Sequence, residues 1–410
     1  MTEPLHLPGL VLTEHVLDLP LDHASPDGET VEVFAREVAA PDGRDRPFLV
    51  FLQGGPGQEA PRPVGRPGNP AWLSRALADY RVLMLDQRGT GNSTPYGAPG
   101  SPEADAERLQ HYRADAIVAD AEAFREHLGV RRWSVLGQSF GGFCALHYLS
   151  VAAGSLSEVY FTGGLPPVGR PPEEVYAATY ATVRRLNQQH HRRFPADAGR
   201  LARVLDLCDE GEIRTAMGAP VSRRLFRTIG NQLGMDGGAE LIHYLLERDP
   251  RSPAFSHDLA ALFPFDDRNP LYAVIHESSY ADGHATRWAA ERALPEDFGA
   301  DSLLLTGEHL FPWHFEDSPA LAPYAGVAGI LAERPWPKLY DADVLASVDV
   351  PCAAAIYAHD AFVDRRFSEE TADLLPGMRP WLTDEFHHNG LRTGGDRVLD
   401  RLIGLARGTI

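Results

Sequence analysis

The hexapeptide Gly137-Gln138-Ser139-Phe140-Gly141-Gly142 lies between a strand-like run, Trp133–Leu136, and a helix-like run, Phe143–Val151. It fits the pattern Gly-x-Ser-x-Gly, in which a sharp strand-to-helix turn holds a serine hydroxyl above a sheet. Such a turn needs small residues because the strand and helix backbones pass too closely to admit side chains. The position of the motif between a strand and a helix therefore predicts that Ser139 is a nucleophile, rather than a capping serine in an ordinary glycine-rich turn.

Short apolar runs on both sides of this motif predict a sheet. Runs that are apolar on both faces suit the buried interior of a mostly parallel sheet. Ala114–Leu128 carries apolar residues at helical spacing, as an amphipathic helix between two strands does. The predicted core strands are Pro47–Gln53, Arg81–Asp86, Trp133–Gln138, Glu158–Thr162, Ser347–Tyr357 and Met378–Leu382, preceded by an alternating, antiparallel pair, Val11–Leu19 and Thr30–Val38. This is an α/β pattern.

A helical insertion interrupts the α/β pattern. From about Pro166 the strand signals give way to apolar residues at helical spacing, and strand character returns only near residue 340. The predicted helices in this part are Tyr176–Phe194, Ala239–Glu247 and Leu271–Glu291. We therefore expect an α/β catalytic domain formed by residues 1–166 and 336–410, with a helical cap formed by residues 167–335.

The composition is that of an ordinary globular chain. Hydrophobic residues make up 44% and charged residues 23% of 410 residues, which excludes a disordered or fibrous protein. The formal net charge of −19 repels phosphate backbones and anionic membrane surfaces, so we expect neither a nucleic-acid nor a membrane partner. No apolar run reaches the roughly 18 residues that span a bilayer. With no signal-like N-terminus and only three scattered cysteines, the chain is predicted to be cytoplasmic.

A serine nucleophile needs a general base, and that base needs an acid to orient it. In α/β-hydrolases both follow the serine, in the order Ser, Asp, His. Asp360 follows the strand-like run Ala353–Tyr357, and an acid at a C-terminal strand end lies where such sheets bind ligands. His388 follows the last strand-like run. We therefore predict a triad of Ser139, Asp360 and His388, with His387 as the competing base.

Two segments can supply an oxyanion hole. The start of the helix that follows the turn at Ser139 presents backbone N–H groups to a developing negative charge. The second donor should come from a loop after an early strand. Gly54 and Gly55 lie in such a loop, and their backbone can approach a substrate oxygen without a side chain in the way.

With these residues identified, the chain resembles the prolyl aminopeptidases (proline iminopeptidases), which are serine peptidases of the α/β-hydrolase fold. The resemblance spans most of the chain, and His276–Arg292 and Thr306–Glu316 are similar to the longer branch of the family, which has an enlarged cap. One departure is Gln53, where many members carry His. The motifs that carry the resemblance are Gly54-Gly55-Pro56-Gly57, Asp86-Gln87-Arg88-Gly89-Thr90-Gly91-Asn92-Ser93, Gly137-Gln138-Ser139-Phe140-Gly141-Gly142, Asp360, and His388-Asn389-Gly390-Leu391-Arg392.

The resemblance implies removal of an N-terminal proline from peptides without a cofactor or metal. Ser139 would attack the carbonyl after proline, His388 would carry the proton, and Asp360 would hold the imidazole. The oxyanion would be bound by the Phe140 N–H together with Gly54 or Gly55. His388 is preferred to His387 because the catalytic histidine of the family precedes a polar residue and Gly-Leu-Arg, as it does here.

An aminopeptidase must also recognise a free α-amine, and a carboxylate in a closed pocket attracts that cation more strongly than an exposed one does. The family uses acidic residues of the cap for this purpose. The candidates here are Glu277 and Glu308, with Glu291 in reserve; the alternative is that they are solvated helix-face glutamates. Phe140, Tyr280, Phe311 and Trp313 are candidates for the proline-ring pocket, although aromatic residues at helical spacing more often belong to the core.

Two other functions stay open at this point. The same triad could serve an esterase or amidase that acts on small acyl substrates, because one fold hosts many chemistries. A binding protein that kept the fold without the chemistry would lack a triad member, and none is missing from the sequence. The large cap and the acidic surface are compatible with a monomer, but the sequence does not decide the oligomeric state.

Overall fold

A computed structural model describes residues 3–64, 68–266, 268–299 and 302–410. Its central sheet has the strand order β1-β2-β3-β5-β4-β6-β7-β8-β9 within the described chain. The strands are β1 Leu5–Leu7, β2 Leu10–Pro20, β3 Thr30–Ala39, β4 Phe48–Leu52, β5 Arg81–Leu85, β6 Trp133–Gln138, β7 Leu156–Thr162, β8 Cys352–Tyr357 and β9 Met378–Thr383. This arrangement confirms the predicted mostly parallel α/β sheet and every predicted strand region.

The direction of pairing divides the sheet into two parts. β1, β2, β3 and β5 pair antiparallel, whereas β5, β4, β6, β7, β8 and β9 pair parallel. All residues of β4, β6 and β8 are buried, as expected for strands covered on both faces by helices. The predicted strand Ser347–Tyr357 begins later, at Cys352, because the preceding residue is Pro351, which has no N–H to donate to a strand ladder.

Helices cover both faces of the sheet. One core packs the sheet against the first and the last helix of the chain, through Leu73, Leu77, Leu399 and Leu402. The other core packs the opposite face against the two helices on either side of β6, through Ile117, Phe124, Phe143 and Leu146. The helices of this domain are α1 Leu73–Asp79, α2 Pro102–Leu109, α3 Ala114–His127, α4 Phe140–Ala152, and, after the insertion, α14 Ala342–Leu345, α15 Arg365–Leu374, α16 Gly390–Thr393 and α17 Gly395–Ala406.

The chain between β7 and β8 is helical. The described part of it contains no strand, only a single bridge between Arg214 and Pro220. Its helices are α5 Pro172–Arg193, α6 Asp197–Asp209, α7 Arg223–Arg227, α8 Gly238–Glu247, α9 Pro253–Ala260, α10 Pro270–Ile275, α11 Ala289–Arg292, α12 His314–Asp317 and α13 Ala325–Glu333. Its short 3₁₀ turns are Thr228–Gly234, His276–Tyr280, Glu296–Phe298 and Ala322–Tyr324, and a further 3₁₀ turn, Ala153–Ser155, lies between α4 and β7. The boundaries of the cap at 167 and 335 stay a prediction.

The predicted helix Leu271–Glu291 is wrong as a single element. The structure divides this stretch into α10, the 3₁₀ turn His276–Tyr280, a loop, and α11. Gly283 has a φ of 83°, a left-handed conformation that a continuing α-helix does not allow. The break bends the chain back on itself, so that the start of α11 lies against the 3₁₀ turn, where Glu277 accepts hydrogen bonds from it.

None of the helices in the ranges that the structure describes has the length and apolar character needed to cross a membrane. The sheet topology determines where the candidate functional residues lie. β4, β6 and β8 run parallel, so that the loops after Leu52, Gln138 and Tyr357 emerge at the same edge of the sheet. Residues far apart in sequence therefore meet there.

Candidate active site

The turn at Ser139 is sharp and strained. Ser139 has a φ of 53° and a ψ of −123°, which a non-glycine residue rarely adopts. The glycines around it have no room for a side chain, because a Cβ on Gly137 would lie 2.4 Å from the Gly141 carbonyl oxygen. A Cβ on Gly141 would lie 1.8 Å from the Leu52 carbonyl oxygen. This close packing turns the Ser139 hydroxyl out of the strand and over the carboxyl edge of the sheet.

Two hydrogen bonds join the predicted triad. His388 Nε2 lies 2.9 Å from Ser139 Oγ, and His388 Nδ1 lies 2.9 Å from Asp360 Oδ2. The other carboxylate oxygen of Asp360 accepts hydrogen bonds from the backbone N–H groups of Phe362, at 2.8 Å, and Val363, at 3.0 Å. Asp360 and His388 are both buried. An acid held in this way orients an imidazole, and the imidazole can take the proton of the serine hydroxyl.

The structure does not bring His387 to Ser139. The backbone N–H of His387 donates to Asp236 Oδ1 at 2.9 Å, and its Nδ1 has no hydrogen-bond partner among the described residues. The backbone N–H of His388 donates to the Gly234 carbonyl oxygen at 3.1 Å, and the Phe362 ring lies 4.3 Å from the imidazole, centre to centre. The histidine loop is thus held by the helical insertion as well as by the sheet.

The predicted oxyanion residues surround Ser139. Phe140 is the first residue of α4, so its backbone N–H has no acceptor within the helix. Gly54 and Gly55 line the same cavity as Ser139. A Cβ on Gly54 would lie 3.1 Å from the Ser139 Cβ and 2.7 Å from Gln138 Oε1, so that only glycine allows this approach. Backbone segments from two parts of the chain thus lie next to the serine, which is the arrangement that the predicted oxyanion hole needs.

An ion pair between the half-buried Arg62 and the buried Asp86, in which each terminal nitrogen of Arg62 donates to one carboxylate oxygen, anchors the glycine-rich loop. Asp86 is fully buried and accepts from Arg62 Nη1 at 2.7 Å and from the Ala60 N–H at 3.2 Å. Its other oxygen accepts from the Asn92 N–H at 2.9 Å. Bidentate contacts of this kind are stronger and more directional than neutral hydrogen bonds. Asp86 therefore joins the loop after β4 to the loop after β5 next to the site.

The Ser139 hydroxyl opens into a cavity of about 480 Å³. Cavities of this size accommodate small ligands. Its walls come from both the α/β domain and the helical insertion. The lining residues are Gly54, Gly55, Gln58, Gln138, Ser139, Asn231, Gln232, Met235, Asp236, Leu241, Ala261, Phe263, Pro264, Asp266, Arg268, Asn269, Tyr272, Glu308, His388, Asn389 and Arg392.

Glu308 contributes to this cavity a carboxyl group that has no charged partner. Its side chain is 16% exposed, and the nearest basic group is His276, whose Nε2 lies 4.0 Å from a Glu308 carboxylate oxygen. Burial lowers the pKa of His276 to about 4, so the imidazole is neutral at pH 7. Burial, with a smaller contribution from the negative charge of Asp360, raises the pKa of Glu308 well above its ordinary value. A cation that entered the cavity would stabilise the charged form of Glu308 and so oppose the effects of burial and of Asp360 on its pKa.

Asn231 adds a second acceptor near Glu308. Its Oδ1 is buried and has no hydrogen-bond partner among the described residues. The preceding residue, Gly230, packs so closely on the segment before Glu308 that a Cβ on it would lie 2.3 Å from the Thr306 carbonyl oxygen. An unpaired buried acceptor is costly unless a ligand supplies a donor. Asn231 belongs to no sequence motif, so nothing in the sequence marks it as a residue of the site.

The other predicted amine-binding residue lies elsewhere. Glu277 is buried, does not line the cavity, and accepts hydrogen bonds from the backbone N–H groups of Ala289 and Ala290 at the start of α11. Burial raises its pKa to about 7. The reserve candidate, Glu291, is exposed and lies outside the cavity lining. Of the three acids, the structure brings only Glu308 to the cavity of Ser139.

The aromatic residues predicted for the ring pocket pack against the protein interior. Phe311 and Trp313 stack on each other at 4.9 Å. The hydroxyl of Tyr280 donates to the Phe362 carbonyl oxygen at 3.3 Å, and Tyr280 is not among the cavity-lining residues. The rings that do line the cavity are Phe263 and Tyr272. Within the described chain, no group of three or more His, Cys, Asp or Glu side chains is arranged to hold a metal ion.

Comparison with known proteins identifies the family. A family model described as the alpha/beta hydrolase fold matches residues 47–203. A curated proline iminopeptidase from Aeromonas sobria is 44% identical to this chain, and the alignment covers 99% of the chain and 100% of that relative. The chain belongs to the proline iminopeptidase family. This confirms the predicted resemblance and the α/β-hydrolase fold.

A second member of the proline iminopeptidase family, from Aspergillus aculeatus, is 32% identical over 97% of this chain and 94% of its own length. Both alignments include the segment that forms the helical insertion here, since they cover 99% and 97% of this chain. A solved hydrolase from Pseudomonas aeruginosa is 16% identical, covers 96% of this chain and 98% of its own, and aligns with a TM-score of 0.44.

Proposed function

We propose that this chain removes the N-terminal proline from peptides through an acyl-enzyme formed on Ser139. The observation that carries the proposal is the hydrogen-bonded chain from Ser139 through His388 to Asp360, which opens into a cavity that also holds the unneutralised Glu308. The full-length similarity to proline iminopeptidases supports the choice of substrate.

In the proposed reaction, Ser139 Oγ attacks the carbonyl carbon of the N-terminal proline while His388 Nε2 takes the hydroxyl proton. Asp360 keeps Nδ1 protonated and stabilises the imidazolium that forms. The tetrahedral oxyanion is bound by the Phe140 N–H and by an N–H of Gly54 or Gly55. His388 then gives its proton to the nitrogen of the next residue, which leaves. Water, deprotonated by His388, hydrolyses the prolyl ester and restores Ser139.

Glu308 is proposed to bind the secondary ammonium group of the substrate proline. Two opposite unit charges 4 Å apart attract by roughly 4 kcal/mol at an effective dielectric constant of 20, and by only about 1 kcal/mol in water. The partly buried position of Glu308 therefore favours a cation strongly over a neutral, acylated nitrogen. Asn231 Oδ1 supplies a further acceptor, and the rings of Phe263 and Tyr272 supply apolar surface for the pyrrolidine.

A free-amine proline arylamide and its N-acetyl counterpart test the proposal. We expect wild type to hydrolyse only the free-amine form, and Ser139→Ala to abolish hydrolysis. Glu308→Gln should lower kcat/KM on the free-amine arylamide by about 100-fold, corresponding to roughly 2.7 kcal/mol. Glu291→Gln, at an exposed cap glutamate outside the cavity, is the matched control and should match wild type. Hydrolysis of simple aryl esters but of neither arylamide would favour the esterase alternative and refute the peptidase.

The cellular setting is part of the proposal. Cys144, Cys208 and Cys352 are all buried with free thiols. Free thiols are typical of proteins in reducing compartments, which supports a cytoplasmic location. We further propose that the protein acts as a monomer. Fractionation of cells and sedimentation of the purified protein test the two statements separately.

A further inference from the structure

Arg392 is a cation without a counter-ion in the cavity of Ser139. Its guanidinium forms no hydrogen bond or ion pair with any residue that the structure describes, although it lines the cavity and is accessible there. The protein atoms around it lower the pKa of its side chain, and no acidic group offsets that effect. An unpaired guanidinium at a cavity wall is open to an anionic ligand.

Apart from Glu308, the other charged side chains that line the cavity, those of Arg268, Asp236 and Asp266, form hydrogen bonds within the protein. Arg268 also lines the cavity, but its guanidinium donates to Glu59. Asp236 accepts hydrogen bonds from the His387 N–H and from the Thr393 hydroxyl. Arg392 and Glu308 are thus a cation and an acid, each lacking a charged partner among the described residues, on the wall of one cavity. A ligand that carries both charges would neutralise them together.

The position of Arg392 assigns it to the leaving-group side. In the proposed reaction the departing nitrogen takes its proton from His388 Nε2, so the residue after proline must lie beside His388. Arg392 lies four residues after His388, on the short helix α16 that begins at Gly390, and both residues line the cavity. Glu308, in contrast, belongs to the helical insertion. The two charges therefore come from different segments, one for each end of a bound substrate.

We propose that Arg392 binds the C-terminal carboxylate of the leaving residue, and that the preferred substrates are zwitterionic dipeptides of the form Pro-X. This rests on the proposed function. In such a dipeptide the carboxylate is on the residue whose nitrogen departs, so a single cation beside His388 can reach it. A cavity of about 480 Å³ accommodates a ligand of this size. In longer peptides the carboxylate would lie beyond this position.

The expected size of the effect follows from the exposure of Arg392. Ion pairs between solvent-accessible groups contribute little to binding. We therefore expect about a fivefold preference in kcat/KM for a free carboxylate over a neutral amide. Salt screens accessible charges, so that 0.5 M NaCl should reduce the preference.

The experiment compares prolyl-alanine with prolyl-alanine amide, with the proline arylamide as a third substrate. The measured quantity is the ratio of kcat/KM for the acid to that for the amide, which cancels any general damage to the site. Wild type should give a ratio of about five, and Arg392→Gln should bring it to about one. Arg268→Gln is the matched control, since that arginine is already paired, and it should keep the wild-type ratio.

The outcomes separate this inference from the function on which it rests. A wild-type ratio near one, or a ratio that survives in Arg392→Gln, overturns the role of Arg392 even if the arylamide is hydrolysed normally. An equal fall of the ratio in Arg268→Gln would also overturn it, because the preference would then come from the overall electrostatic potential of the cavity. Failure of wild type to hydrolyse the arylamide and both dipeptides would refute the proposed function itself.

Discussion

Asp236 is predicted to position the catalytic histidine, and replacing it by alanine should lower kcat. Its carboxylate accepts from the His387 N–H at 2.9 Å and from the Thr393 hydroxyl at 2.6 Å, and its own N–H donates to Asn389 Oδ1 at 2.8 Å. These contacts lie on both sides of His388 in the sequence. They attach the histidine loop to the helical insertion.

The magnitude follows from the two bonds that Asp236→Ala removes. A hydrogen bond to a charged group contributes roughly 1.5–3 kcal/mol, and Asp236 is half-buried, so the pair contributes about 3 kcal/mol. We assume that about half of this lost free energy is added to the activation barrier, because the imidazole is then less well oriented. The barrier rises by about 1.4 kcal/mol and kcat falls about tenfold. Asp236→Asn keeps an acceptor for the His387 N–H and should stay within about threefold of wild type.

The assay is hydrolysis of the free-amine proline arylamide across a range of pH. Loss of orientation should lower kcat in Asp236→Ala at every pH, whereas an effect of the lost negative charge would appear to the same extent in Asp236→Asn. Asp266→Ala is the control, because Asp266 lines the same cavity and does not contact the histidine loop. A kcat for Asp236→Ala within twofold of wild type, or an equal loss in Asp266→Ala, would refute the reasoning.

Three further predictions follow from the buried acids and the tight turn. Burial and the charge of Asp360 raise the pKa of Glu308, so kcat/KM for the arylamide should fall as the pH falls through that raised pKa. A pH–rate profile checks this, and the decrease at low pH that Glu308 causes should be absent from Glu308→Gln. The folded chain keeps a proton on Glu277 up to about pH 7, while the unfolded chain releases it near 4.5. The free energy of unfolding should therefore fall by about 3 kcal/mol over that interval, and denaturant titrations should show no such contribution in Glu277→Gln. Gly141→Ala places a Cβ 1.8 Å from the Leu52 carbonyl oxygen and should destabilise the protein by more than about 3 kcal/mol, measured by thermal unfolding; a near-native melting temperature would contradict the packing at the turn.

The sheet and the meeting of Ser139, Asp360 and His388 were predictable from sequence because each rests on local patterns. Strands that are buried on both faces carry continuous apolar runs, and the glycines around Ser139 are demanded by backbone contacts within a few residues. The order of the elements then places acid and histidine after parallel strands, at the edge where the serine emerges.

The lining of the cavity was not predictable in the same way. Helical spacing of aromatic residues does not distinguish a ring that faces a cavity from one that packs internally, and Phe311 and Trp313 stack on each other outside the cavity lining. Asn231 and Glu308 lie on segments that are far apart in sequence, and only tertiary packing brings them to one cavity. Glu277 illustrates the same limit, because the break at Gly283 that folds α11 back onto it leaves no hydrophobic signature.

The insertion between β7 and β8 also has a consequence during synthesis. The ribosome completes the strand and turn that hold Ser139 long before it makes β8 and β9, which precede the acid and the base. A nascent or prematurely ended chain therefore carries the proposed nucleophile and its oxyanion donors without the groups that activate them. We therefore expect the proposed peptidase activity to begin only when the last strands join the sheet, so that turnover would report completion of the polypeptide and unfinished chains would be inactive.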